Sequence, residues 1–108
     1  MLQCVAQNAG PVYSSFRNDP DYAELLSMYV DELSAKPAAF LEPGRDRDFD
    51  GVRREAHKLK GSAGGYGFHE LSTLAGRLEE SCKSVDPKAD IILQEIRELV
   101  DYLNRVRV

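Results

Sequence analysis

Residues Arg53–Phe68 read RREAHKLKGSAGGYGF, and together with the four residues before them they decide the fold. At about 100° per residue, the apolar positions Phe49, Val52, Ala56, Leu59, Ala63 and Tyr66 share roughly 100° of arc, the core-facing stripe of a helix. His57 lies off that stripe, about 130° from its centre. Arg53, Lys60, Gly61 and Gly64 occupy its i−4, i+3, i+4 and i+7 positions on the same side. The stretch predicts a helix that buries one face and displays, on another, a titratable nucleophilic ring among cations and residues with almost no side chain.

Outward from this helix the chain carries further amphipathic segments. Asp19-Pro20 predicts a helix start, with Asp as N-cap and Pro at the first helical position. That helix puts Tyr22, Leu25, Leu26, Tyr29 and Leu33 on one face. Pro37 is expected to break or kink it, leaving Ala38–Leu41 as a short second segment, and Glu42-Pro43-Gly44 reads as a turn. Asp46 or Asp48 is expected to cap the central helix, which runs to Gly64 or Gly65, with Gly67 in the turn. The next helix, Phe68 to Ser84, buries Phe68, Leu71, Leu74, Ala75, Leu78, Cys82 and Val85. Asp86-Pro87 repeats the cap-plus-proline start, and the last helix buries Ile92, Ile96, Leu99, Leu103 and Val106.

No run of alternating β-branched residues predicts a strand. Short connections force neighbouring helices side by side, so the expected fold is all-α: an antiparallel four-helix bundle with an additional short N-terminal segment or kinked helix. Residues 1–18 read as a tail or docking segment that uses Val12, Tyr13 and Phe16, and residues 19–108 as one helical domain.

The chain has 108 residues, 14 basic and 18 acidic, for a formal charge of −4. That length suits one domain with its own core. The acidic balance argues against a nucleic-acid partner. The cations are local, with Arg45, Arg47, Arg53, Arg54, Lys58 and Lys60 inside sixteen residues, a pattern suited to a small anionic group. Two cysteines, Cys4 and Cys82, give no metal-ligand spacing and no disulfide framework. No segment reads as a signal peptide or a membrane span, so the expected location is the cytoplasm, with no membrane partner.

His57, Lys60, Gly61, Ser62, Ala63, Gly64 and Gly67 resemble the signature of the histidine-containing phosphotransfer (HPt) domain, His-x-x-Lys-Gly-Ser/Ala with a Gly several residues on. The resemblance runs from Asp19 to Val106. It implies a phosphoprotein of a two-component phosphorelay, in which His57 accepts and donates a phosphoryl group to and from the aspartate of response-regulator receiver domains. Lys60 would stabilise the phosphoryl group, and Gly61, Gly64, Arg53, Arg54 and Lys58 would form the binding surface. The implied partners are receiver domains and a hybrid histidine kinase, with Mg²⁺ expected on the receiver and no cofactor or metal in this chain. Such a domain is a transfer module, not an enzyme with ATP-binding or autokinase activity, and a bundle whose stripes are used internally is expected to be a monomer.

The residues alone agree with that chemistry. A neutral imidazole has one nitrogen lone pair able to attack phosphorus, and phosphoryl transfer asks mainly for positioning and nearby cations. Gly61 costs about 0.8–1.0 kcal/mol in a helix relative to Ala, and at i+4 from His57 it keeps the ring accessible. The alternative is a binding-only helical adaptor for a receiver or another signalling protein, with His57 unphosphorylated. The dimerising hairpin of a histidine kinase fits less well, because Lys60 and Gly61 follow the carrier spacing. His69 and Ser62 read as a helix-start residue and a packing residue, and Glu79, Glu80, Glu95, Glu98 and Asp101 as solvated helix faces.

Overall fold

A computed structural model describes residues 10–108. A 3₁₀ turn, Pro20–Tyr22, leads into five α-helices: α1 Ala23–Leu33, α2 Lys36–Arg45, α3 Phe49–Ala63, α4 His69–Lys83 and α5 Ala89–Arg105. No strand forms among the described residues, and the expected all-α bundle is what is observed. Helix α4 packs against α3 and α5, and α2 closes the bundle from the other side by packing against the same two helices. The core between them is built from Phe40, Val52, Ala56, Leu59, Ala63, Leu71, Ala75, Leu78, Ile92, Ile96 and Leu99. Helix α1 adds Leu26, Tyr29 and Leu33 from the flank.

Local chemistry sets most of the boundaries. Asp19 caps the 3₁₀ turn through Asp21 N–H, and Asp48 caps α3 by accepting from Gly51 N–H at 3.0 Å. The α3–α4 link is a Schellman closure: Phe68 N–H bonds Ala63 O and Gly67 N–H bonds Gly64 O, with Gly67 at φ +83°. Only glycine takes that backbone without strain.

Four expectations need correction. Glu42-Pro43-Gly44 is not a turn but the last part of α2, which is therefore a full member of the bundle. Tertiary packing overrides the turn-forming residues here: a side chain on buried Gly44 would come within 2.9 Å of Ile96 Cδ1, so glycine lets α2 lie close on α5. Helix α5 begins at Ala89, not at Pro87, with Asp86 spent on an ion pair to Lys88. Val85, assigned to a buried face, is fully exposed because α4 ends at Lys83. Leu25 is about half exposed for a different reason: α1 lies at the edge of the bundle and buries only the Leu26–Tyr29–Leu33 side.

The segment from Gly10 to Asn18 docks on the domain. Val12 forms a parallel bridge with Val106, donating to Arg105 O and accepting from Arg107 N–H, both at 2.8 Å. Ser14 is buried and donates to Tyr66 O at 2.6 Å, and Phe16 stacks on Tyr22. Of the three expected docking residues, Val12 and Phe16 pack on the core, whereas Tyr13 stays more exposed, with the Arg17 guanidinium over its ring. Cys4 lies outside the described residues. Cys82 is half-buried, and burial, with Glu95 nearby, pushes its thiol up to about 11.

Two outcomes follow. Gly67→Ala should destabilise the fold by about 1–3 kcal/mol in urea denaturation, because it adds a strained φ to a Cβ lying against the Ser14 and Ser15 hydroxyls. Cys82 should resist alkylation at neutral pH and react appreciably only in strongly alkaline buffer, as read by mass spectrometry of the Cys82 peptide; fast labelling at pH 7.5 would contradict its burial.

Candidate functional site

The site lies on the facing sides of α3 and α4. Helix α3 carries His57 and Lys60 on the turn next to its buried Ala56–Leu59 edge. Helix α4 buries Leu71, Ala75 and Leu78, and one position further round each turn it presents Ser72, Gly76 and Glu79 to α3. Ser72 Oγ donates to Lys60 O at 2.9 Å, which fixes the register of the two helices. Gly76 leaves room for Lys60: a Cβ there would sit 3.0 Å from Lys60 Cδ, so the lysine stem lies over α4 where a larger residue would stand.

Glu79 is the centre of this arrangement. Its side chain is only 6% exposed, yet its two oxygens face His57 Nδ1 at 2.8 Å and Lys60 Nζ at 3.0 Å. The Lys60 contact is an ion pair without the alignment of a hydrogen bond. Lys60 is the main reason the Glu79 carboxyl is held below the ordinary carboxylate range; burial opposes the shift, and His57 reinforces it. Glu79 is therefore ionised at neutral pH.

An ionised carboxylate can only accept hydrogen bonds, so the Nδ1 facing it carries the ring proton. In neutral His57 the lone pair is then on Nε2. The His57 side chain is 65% exposed, so the ring is fixed at one nitrogen and open at the other.

The other expected site residues surround this pair. Gly61 is exposed, with nothing within 4 Å of where a Cβ would stand, and so leaves open space at i+4 from the ring. Gly64 lies nearer α4, where a Cβ would meet Ser72 Oγ at 3.7 Å. The cations are not free-standing: Arg53 and Arg54 both pair with Asp50, and Lys58 pairs with Glu55, which also meets Lys36. Ser62 faces away from His57 and shares a 2.7 Å hydrogen bond with Tyr29 OH, whose ring stacks on Tyr66. His69 is the exposed first residue of α4.

Glu79 is the residue whose expected place is overturned: it is not on a solvated face but buried against the imidazole. A signal existed, because Ser72, Gly76 and Glu79 form an i, i+4, i+7 row of two small residues and an acid directly beside an apolar stripe. Such a row marks where another helix comes close.

With this geometry in hand, the comparison with known families is unambiguous: the Hpt domain matches residues 23–107, most of the chain. The chain belongs to the Hpt-domain family, the phosphotransfer domains of two-component signalling, which are phosphocarriers without kinase activity and which interact with response-regulator receiver domains. No curated protein and no solved structure matches it significantly. Among the described residues, no helix is long and apolar enough to cross a membrane.

The lowered Glu79 pKa makes a signed prediction. Its contribution to stability is complete above the unfolded carboxylate value of about 4.5 and is lost as pH falls through the lower folded value. Replacing Glu79 by Gln should therefore flatten the acid limb of the stability–pH profile in urea titrations, with the two proteins converging at low pH. Parallel profiles would mean that the carboxylate is not held in its charged form by Lys60.

Proposed function

We propose that His57 is the phosphoacceptor of a two-component phosphorelay and that its Nε2 exchanges a phosphoryl group with the aspartate of receiver domains, including the receiver of a hybrid histidine kinase. The observation that carries this is the buried Glu79 carboxylate on Nδ1, which leaves the nucleophilic lone pair on the exposed side of the ring. The protein acts as a monomeric cytoplasmic carrier. The receiver supplies the acyl phosphate and its Mg²⁺, and this chain supplies the imidazole and its surroundings.

In the accepting direction the Nε2 lone pair attacks phosphorus in line with the bond to be broken. An N–P bond forms, the P–O bond to the receiver aspartate breaks, and its electron pair departs on the aspartate carboxylate. The ring keeps its Nδ1 proton and gains positive charge as the lone pair is committed. Glu79 stands 2.8 Å away, already oriented toward the developing imidazolium. Donation to the next receiver reverses these steps.

Lys60 has two tasks in this reading. It neutralises Glu79 in the resting protein, and because its side chain is 43% exposed, its ammonium is available to the phosphoryl oxygens beside Nε2. Gly61 gives the receiver a way in. Arg53, Arg54 and Lys58, each paired with a carboxylate on their own helix, form a charged border that meets the receiver's acidic rim.

The test is incubation with phosphorylated receiver domains, following acid-labile, base-stable label. Wild type should be labelled and His57→Gln should not; binding to receivers without label would make the protein an adaptor. Glu79→Gln should slow transfer by about tenfold to a hundredfold, through loss of a charge-assisted hydrogen bond to the ring, while receiver affinity stays the same. Gly61 separates access from stability: Gly61→Ala should raise helix stability by up to about 1 kcal/mol, whereas Gly61→Gln should fold normally and transfer slowly. Equal rates for Gly61→Gln and wild type would remove its role in access.

A further inference from the structure

Several cations in this acidic chain are paired with a carboxylate one turn away, as Arg53, Arg54, Lys58, Lys83 and Arg105 are. Arg17 and Arg107 are not, and unlike the unpaired Arg77 and Arg97, whose cleft also holds Asp90, Glu95 and Glu98, they line a cleft without acidic side chains. Neither has a carboxylate partner among the described residues, and residues 1–9, MLQCVAQNA, contain no acidic side chain that could supply one. Both line, with Arg105, Pro11, Tyr13 and Val108, an open cleft of about 480 Å³, within the size range of small-molecule sites.

The cleft is held by ordered backbone. Its walls are the N-terminal segment and the end of the chain, joined through the Val12–Val106 bridge. The Arg17 guanidinium is fixed 3.7 Å above the Tyr13 ring. Arg105 is held by Asp101 at 3.2 Å and by Gly10 O at 3.1 Å. Arg107 uses Nη1 on Asn104 O and Val106 O, at 3.1 and 2.8 Å. Each of these guanidiniums still has N–H donors to spare, since five are available per fork. Three positive charges less those on Asp101 and on the Val108 α-carboxylate leave the cleft net positive.

We propose that this cleft is a binding site for a phosphate-bearing small molecule, separate from His57, with Arg17, Arg105 and Arg107 gripping a dianionic phosphoryl group. A net-positive cleft attracts an anion, and three guanidinium forks suit the several oxygens of a phosphoryl group, which they bind in bidentate fashion. The compact, open shape favours a small ligand over an extended peptide. Because the two walls come from opposite ends of the chain, bound ligand also fastens the N-terminal segment to the domain.

The experiment is an NMR titration of the ¹⁵N-labelled full chain, at about 0.15 M salt to suppress loose surface attraction, with inorganic phosphate, pyrophosphate and ADP in separate arms and a glutamate-rich peptide as comparison. The expected result is a saturable shift of the Arg17, Arg105 and Arg107 side-chain signals and of the Val12 amide. Affinity should be unchanged in His57→Gln and weakened at least about tenfold in Arg17→Gln/Arg107→Gln, which spares the Arg105 contacts that hold Gly10. Circular dichroism verifies that the double variant folds, and the single variants take its place if it does not. A preference for ADP over both inorganic anions identifies a nucleotide-like ligand, and equal affinity for pyrophosphate identifies the phosphoryl group alone as the recognised element. Non-saturable shifts, shifts indifferent to the arginine variants, or stronger binding of the glutamate peptide than of any phosphate would overturn the proposal.

Discussion

A carboxylate taken out of water is expensive unless its charge is answered on the spot. Glu79 satisfies that condition by dividing its two oxygens between an imidazole and an ammonium, and the arrangement of α3 and α4 follows from it. Lys60 must reach α4, so α4 must be bare at Gly76. His57 must present Nδ1 inward, so the helices must be held in one register, which the Ser72 hydroxyl on Lys60 O helps to fix. Remove the carboxylate and these features lose their common reason.

The same constraint explains why the reactive ring can be both exposed and ordered. Solvent-facing histidines on helices ordinarily sample several rotamers, with either nitrogen protonated. Here one anchored nitrogen selects a tautomer and an orientation, while the ring edge opposite remains open toward Gly61. The bundle core supplies no chemistry of its own. It holds two helix surfaces at a spacing where a glutamate on one meets a histidine and a lysine on the other.

Much of this was legible from residue spacing. The α3 stripe from Val52 to Ala63, the off-stripe position of His57 and the closing role of Gly67 are local properties, and local rules recover them. What was not legible depended on a second helix. Glu79 looks like a surface acid until α3 is laid against it, and Pro43-Gly44 looks like a turn until Ile96 is seen to need the space above Gly44. The Asp86-Pro87 pair misled in the opposite sense: the helix starts later, at Ala89, and exposed Asp86 pairs with Lys88 without capping it. For Glu79 and for Pro43-Gly44 a contact distant in sequence outweighed a sound local preference.

The bridge between Val12 and Val106 makes the chain, in effect, a ring closed by a small clasp. All the described helices lie inside that loop, so the clasp carries a large closure entropy. The helices can zip up locally without it. Tension applied on either side of the clasp would bear first on the Arg105–Gly10 contact and the two backbone hydrogen bonds of Val12, before it reached the α3–α4 pair.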